Sequence, residues 1–310
     1  MTYVDQHWAH PWLAALGIAV ILVHEVGLRR MNRRSTPAHV RRRRWAMLIS
    51  YAGLGILILS VCSPFEFWSM EYFWVHMLQH IAVMIVAPAL YVLGQPFPPL
   101  MNALPVTWRR RVLRSLFVGS RLRAPRALLR ALLSPWVSVA IFNVVMVVWM
   151  IPSLFNPVMT SERLHISLML STFFVSGLLF WLQLIPSRPL RPRLAASGQV
   201  AAVFFSNVVM TVLAISISFF TAQSLYRMGT SLTSMVDMPG MAAPSTITLN
   251  PFTDQQIGAA ILWVCGDFWA FPILIVALRR MMRDQGPKGF LNRATGREEM
   301  TTFRGIDLTG

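Results

Sequence analysis

Residues 74–94, WVHMLQHIAVMIVAPALYVLG, are long and apolar enough to cross a bilayer, yet they carry His76 and His80 near their start. The two histidines stand at i and i+4, so a helix places them on one face, one turn apart. His80 lies six residues beyond Trp74, which is about 9 Å along a helix axis. Polar groups at that depth are costly and need partners, and a pair in register points to a metal or proton role as readily as to a structural hydrogen bond.

Similar apolar segments recur on both sides. Besides 74–94 they cover roughly 10–27, 45–62, 134–151, 163–184, 198–220 and 256–278. The chain has 310 residues, 55% hydrophobic and 13% charged, with mean hydropathy +0.55. These values define an all-α integral membrane protein, a bundle of seven transmembrane helices forming one domain over 1–283, with a polar tail at 284–310.

The net charge of +16 does not indicate nucleic acid, because the basic residues fall in alternate loops. Segment 28–44 holds eight arginines, 95–133 another eight and 185–197 three, and the stretch after 278 is basic as well. Loops 1–11, 63–73 and 152–162 have none, and 221–255 has only Arg227. The positive-inside rule then sets the N-terminus outside and the C-terminus in the cytoplasm. The first residues lack a basic n-region, so the first span is expected to direct insertion. The stretch VTWRRRVLRSLFVGSRL, 106–122, repeats Trp108, Val112, Leu113, Leu116 and Phe117 at helical spacing opposite arginines. That pattern suits a helix lying on an anionic membrane surface.

Other spans bring donors to the height of the histidine pair. His165 and Met169 form an i,i+4 pair at the start of span five, and Met146 and Met150 another near the end of span four. If the helices adjoin, His76, His165 and Met150 make an upper layer and His80, Met169 and Met146 a lower one. Imidazole and thioether donors without a cysteine motif point to copper as Cu(I) rather than to structural zinc. Cys62 and Cys265 fall in or beside spans and read as packing rather than a disulfide.

The 221–255 loop adds Met228, Met235, Met238 and Met241, either a collector for a soft ion or an apolar lid. Asp254 and Gln255 open span seven, where Asp254 caps that helix or closes the metal site. Asp267, near mid-span, is a functional candidate by its position, and His24 and Glu25 are expected to snorkel toward the nearer interface. No nucleophilic triad, phosphate loop or metalloprotease motif stands out, so the chain does not read as an enzyme.

HMLQHIAVMIVAPALYVLGQP resembles the signature of the CtaG-like family of multi-pass cytochrome c oxidase assembly factors, a His-Met-x-x-His pair opening a helix that ends in Leu-Gly-x-Pro. DQQIGAAILW is similar to that family's Asp-Gln-x-x-Gly-x-x-x-Trp element, on Asp254, Gln255, Gly258 and Trp263. The resemblance implies a role in building a copper-containing terminal oxidase in a bacterial cytoplasmic membrane, with oxidase subunits and an extracytoplasmic copper donor as partners. Where the family often has His-x-x-Glu-His at the start of span five, this chain has His165 and Met169; where it has a histidine ahead of the proline ending span four, it has Met150. Four functions fit the residues: a copper-delivering assembly factor, a copper transporter, a haem-binding redox protein, and a metal-free scaffold for oxidase subunits.

Overall fold

The computed structural model describes residues 10–33, 35–117, 123–190, 192–228 and 249–284, whose regular structure is helical apart from one isolated bridge between Ser187 and Leu190. Met235, Met238, Met241 and the tail beyond Asp284 lie outside the described residues. Pro11, Pro37, Pro64, Pro135, Pro152 and Pro251 each open a helix. Proline suits the first helical position because its φ is already helical and its missing N–H would have no intrahelical acceptor there.

In chain order the helices are α1 (Pro11–Asn32), α2 (Pro37–Cys62), α3 (Pro64–Glu71), α4 (Phe73–Leu93), α5 (Phe97–Ala103), α6 (Val106–Phe117), α7 (Arg123–Leu132), α8 (Pro135–Trp149), α9 (Pro152–Met159), α10 (Glu162–Leu184), α11 (Ala196–Phe219) and α12 (Pro251–Asp284). Six of them, α1, α2, α4, α10, α11 and α12, are long and apolar enough to cross a membrane. The seventh expected span is α8, which is short and joins α7 at a bend of 73°. The protein is a multi-pass membrane protein.

Several helices outrun the apolar segments, with α1 reaching Asn32, α2 starting at Pro37 and α12 reaching Asp284. Hydropathy marks only the residues that suit hydrocarbon, whereas the helix continues through arginine-bearing turns. Of the stretch 106–122, the described part, Val106–Phe117, is helical as α6, with Arg111 5.8 Å from the exposed Trp108 ring.

α4 is the hub. It packs against α2, α10 and α12, and 67% of its most apolar window is buried, against 22% for α1 and α12. Phe204, Val212, Phe268 and Phe271 on α11 and α12 remain exposed, as a lipid-facing surface requires. Close approach of α10 to α4 depends on Gly177. A Cβ there would sit 2.1 Å from the Met84 carbonyl oxygen and 2.9 Å from Pro88 Cγ. Pro88 has no N–H to offer that carbonyl in an α-helical bond. The ladder shifts instead into a π turn over Ala82–Val86, where the Ala87 N–H bonds the Ala82 oxygen. α10 contains a second π turn at His165–Leu170. Both histidine-bearing helices thus depart from α geometry beside their histidines, as helices often do at functional sites.

Candidate metal centre

α4 brings His76 and His80 to one face with ring centroids 4.1 Å apart, and α10 brings His165 to 5.0 Å from His76. One ring nitrogen from each of the three lies within 4.8 Å of the others. All three are buried, His76 and His165 completely. The pairing of α4 with α10, tightened at Gly177, is what assembles the group.

The rings are oriented from behind by α3. His165 Nδ1 donates to Glu66 Oε1 at 2.7 Å, and His76 Nδ1 donates to the Ser69 carbonyl at 3.3 Å. With Nδ1 carrying the proton, Nε2 keeps its lone pair. Glu66 is itself buried, and its Oε2 accepts from Gln79 Nε2, which also donates to the Ser60 carbonyl at 2.7 Å. A carboxylate behind a histidine is the arrangement that fixes tautomer and raises ligand basicity at metal sites.

The front of the group is aromatic. Phe155 lies 4.9 Å from His76 and Phe173 4.3 Å from His80. Tyr226 stacks on Phe73 at 4.3 Å and donates its hydroxyl to the Met150 carbonyl at 2.7 Å. Inside these walls the Nε2 atoms of His76, His80 and His165 are buried without a hydrogen-bond partner among the described residues. An orphaned buried acceptor costs about 1–3 kcal/mol. Three converging on one place suit a bound cation that accepts their lone pairs. Three imidazoles with no thiolate among the described residues fit copper or zinc and leave a further coordination position for an exchangeable ligand.

The remaining predicted residues fall in distinct places. Met169 is fully buried in the same π turn as His165. Met146 and Met150 line a cavity of about 20 Å³ together with His80, Met84 and Met210. The structure therefore brings the three histidines into one group and sets both span-four methionines beside His80. Met228 packs against the core. Cys62 and Cys265 are free thiols.

Asp254 caps, but not its own helix. Its carboxylate accepts from the Phe73 and Trp74 N–H groups at 2.7 and 2.9 Å, closing the N-terminus of α4. Gln255 accepts from the Leu225 N–H at 2.7 Å and donates to Thr221 Oγ1 at 2.9 Å. A Cβ on Gly258 would meet Phe73 at 2.4 Å. Asp254 and Gly258 thus seat α12 on the histidine helix, Gln255 ties it to the end of α11, and Trp263 is exposed. Asp267 accepts from Asn207 at 3.0 Å.

His24 departs from expectation. It does not reach an interface: only 1% exposed, it donates Nδ1 to the Val20 carbonyl at 2.7 Å and sits between Tyr51 and Tyr91. Packing of α1 on α2 closes over it, while Glu25 is held by the Tyr51 hydroxyl at 2.9 Å.

Glu66 and Gln79 were not singled out as site residues from the sequence. Ser63-Pro64-Phe65-Glu66 has the form of a capping box, which accounts for a glutamate without burying it. The signal available was a pair of acidic residues, Glu66 and Glu71, within the largely apolar inter-span segment 63–73.

A family model described as cytochrome c oxidase caa3 assembly factor matches residues 22–284. Comparison with curated proteins and with solved structures gives no match.

Proposed function

Because this chain belongs to the cytochrome c oxidase caa3 assembly factor family, we propose that it binds Cu(I) as cargo on His76, His80 and His165 and delivers it during assembly of the oxidase. The observation that carries this reading is the convergence of three buried, partnerless Nε2 atoms, two of them on rings oriented through Nδ1. His24 Nε2 is also buried without a partner, so what supports the reading is the convergence of three such atoms within reach of one ion rather than the missing partners alone.

In this reading the site faces the outside of a bacterial cytoplasmic membrane. The arginine-rich loops and the basic helices α6 and α7 lie on the anionic inner leaflet. Met169, Met150 and Met146 are supporting donors, and Met235, Met238 and Met241 collect the ion from an extracytoplasmic donor. Asp254 is assigned to the α4 cap and not to the metal. Oxidase subunits are the recipients. A haem between the histidines is disfavoured by the close ring packing against Phe155 and Phe173.

Copper content decides it. Detergent-purified parent and His76→Ala/His80→Ala protein are loaded anaerobically with Cu(I) and desalted. The parent is expected to retain one copper per chain and the variant to lose it. Equal retention by both removes the histidine site, and no retention by the parent favours a metal-free scaffold. Copper flux into proteoliposomes would instead support a transporter.

A further inference from the structure

His80 belongs to two neighbourhoods. One is the histidine group; the other is the cavity of about 20 Å³ between α4, α8, α10, α11 and α12, where it is joined by Met84, Met146, Met150 and Met210. Four of the nine lining residues are methionine, in a chain with 19 methionines in 310 residues. Each of the four is at most 5% exposed. They come from three helices, with Met84 one turn beyond His80 on α4, and Met146 one turn from Met150 at the end of α8.

We propose that this cavity is a second metal station, a thioether site for a monovalent d10 cation, Cu(I) or Ag(I), which receives the ion from the histidine group through His80. The proposal rests on the reading of the histidine group as a metal site. It adds a place to which the ion moves and a basis for selectivity.

The chemistry of the lining supports it. Thioethers are neutral soft donors that suit Cu(I) and are poor ligands for zinc or magnesium. The other lining residues, Ile81, Ile85, Phe173 and Leu262, are apolar, and among the described residues no carboxylate lines the cavity. Burial of an ion in such a medium costs free energy as the square of its charge, so a divalent ion is penalised far more than a monovalent one. The space is of the size that holds one water-sized occupant. Transfer is ligand exchange alone: the imidazole of His80 stays bonded while the bonds from His76 and His165 break and bonds to sulfur form. No electron or proton changes hands.

Copper K-edge absorption on the anaerobically Cu(I)-loaded, detergent-purified full chain tests this, alongside Ag(I) and Zn(II) titrations. The comparison is with Met84→Leu/Met210→Leu, a volume-conserving change that the core tolerates, its folding checked by the unfolding temperature. In the parent, sulfur scatterers are expected beside nitrogen. In the variant, the sulfur contribution falls and Ag(I) binding weakens on the order of tenfold, the size typical of a lost partner at a metal site. Zn(II) binding at the histidines stays unchanged. Copper bound with only nitrogen or oxygen neighbours, or Ag(I) affinity equal in parent and variant, overturns the station and leaves the histidine site standing. Sulfur-only coordination that persists in His76→Ala/His165→Ala overturns the transfer through the histidine group and retains the thioether site. No copper or silver bound by the parent removes both.

Discussion

His165 on α10 and Glu66 on α3 are joined by a 2.7 Å hydrogen bond that spans 99 residues of sequence and is buried at both ends. It fixes the ring that completes the histidine group, so under the proposed metal reading Glu66 is a positioning residue. Glu66→Gln is expected to weaken Cu(I) or Zn(II) affinity by about 10- to 100-fold, the usual consequence of removing a carboxylate behind a metal-bound histidine. Competition titration with a chelator of known affinity reads the change. Unaltered affinity would mean that the bond serves packing alone.

Asp254 holds the first turn of α4 through two backbone N–H groups. Asp254→Ala should destabilise the protein by about 0.5–2 kcal/mol, whereas Asp254→Asn keeps an oxygen in place and costs less. Thermal unfolding in detergent gives the comparison. Copper bound at saturation is expected to remain at the parent level in both, and its disappearance in the asparagine variant would assign the carboxylate to the metal instead.

Gly177 and Gly55 provide a matched pair. A methyl group on Gly177 collides with the Met84 carbonyl, while one on Gly55 meets nothing within 4 Å. Gly177→Ala must push α10 away from α4, at a cost of about 1–3 kcal/mol, and should weaken metal binding because His165 moves with α10. Gly55→Ala should leave metal binding intact. Similar behaviour of the two variants would contradict the close approach.

Tyr226 ties the loop after α11 to the end of α8 through the Met150 carbonyl. Burial pushes its phenol pKa up, so the donating O–H form persists throughout the neutral and mildly alkaline range. The stabilisation is fully present below the unfolded value of about 10 and is lost only as pH rises through the higher folded value. Tyr226→Phe keeps the stacking on Phe73 but strands the carbonyl, costing about 1–3 kcal/mol. That loss should be the same at pH 6 and pH 9, roughly a pH range in which no tyrosine of ordinary pKa ionises. A loss that shrinks markedly across this interval would show the phenol ionising early.

Bound metal should also raise the unfolding temperature of the parent, because an ion that binds only the folded state stabilises it by mass action. The increase is expected to vanish in His76→Ala/His80→Ala. A metal-induced rise of equal size in that variant would locate the relevant site elsewhere.

By itself the sequence determined the membrane class, the apolar spans to within a few turns at their ends, and the shared face of His76 and His80. Each of these is local. Hydropathy measures which residues suit hydrocarbon, and the 3.6-residue period fixes which of them share a face.

What only the tertiary structure decided is who meets whom. The sequence placed His165 at the right depth, but its approach to His76 depends on the packing of α10 on α4 at Gly177. The capping-box form around Ser63 and Glu66 satisfies local rules whether or not the glutamate is buried, so its contact with His165 was not legible. Asp254 opens one helix in the sequence and caps another in space, and His24 is enclosed by tyrosines from α2 and α4. A residue's own segment sets its height and face, whereas its partner is chosen by side-chain packing between segments far apart in sequence.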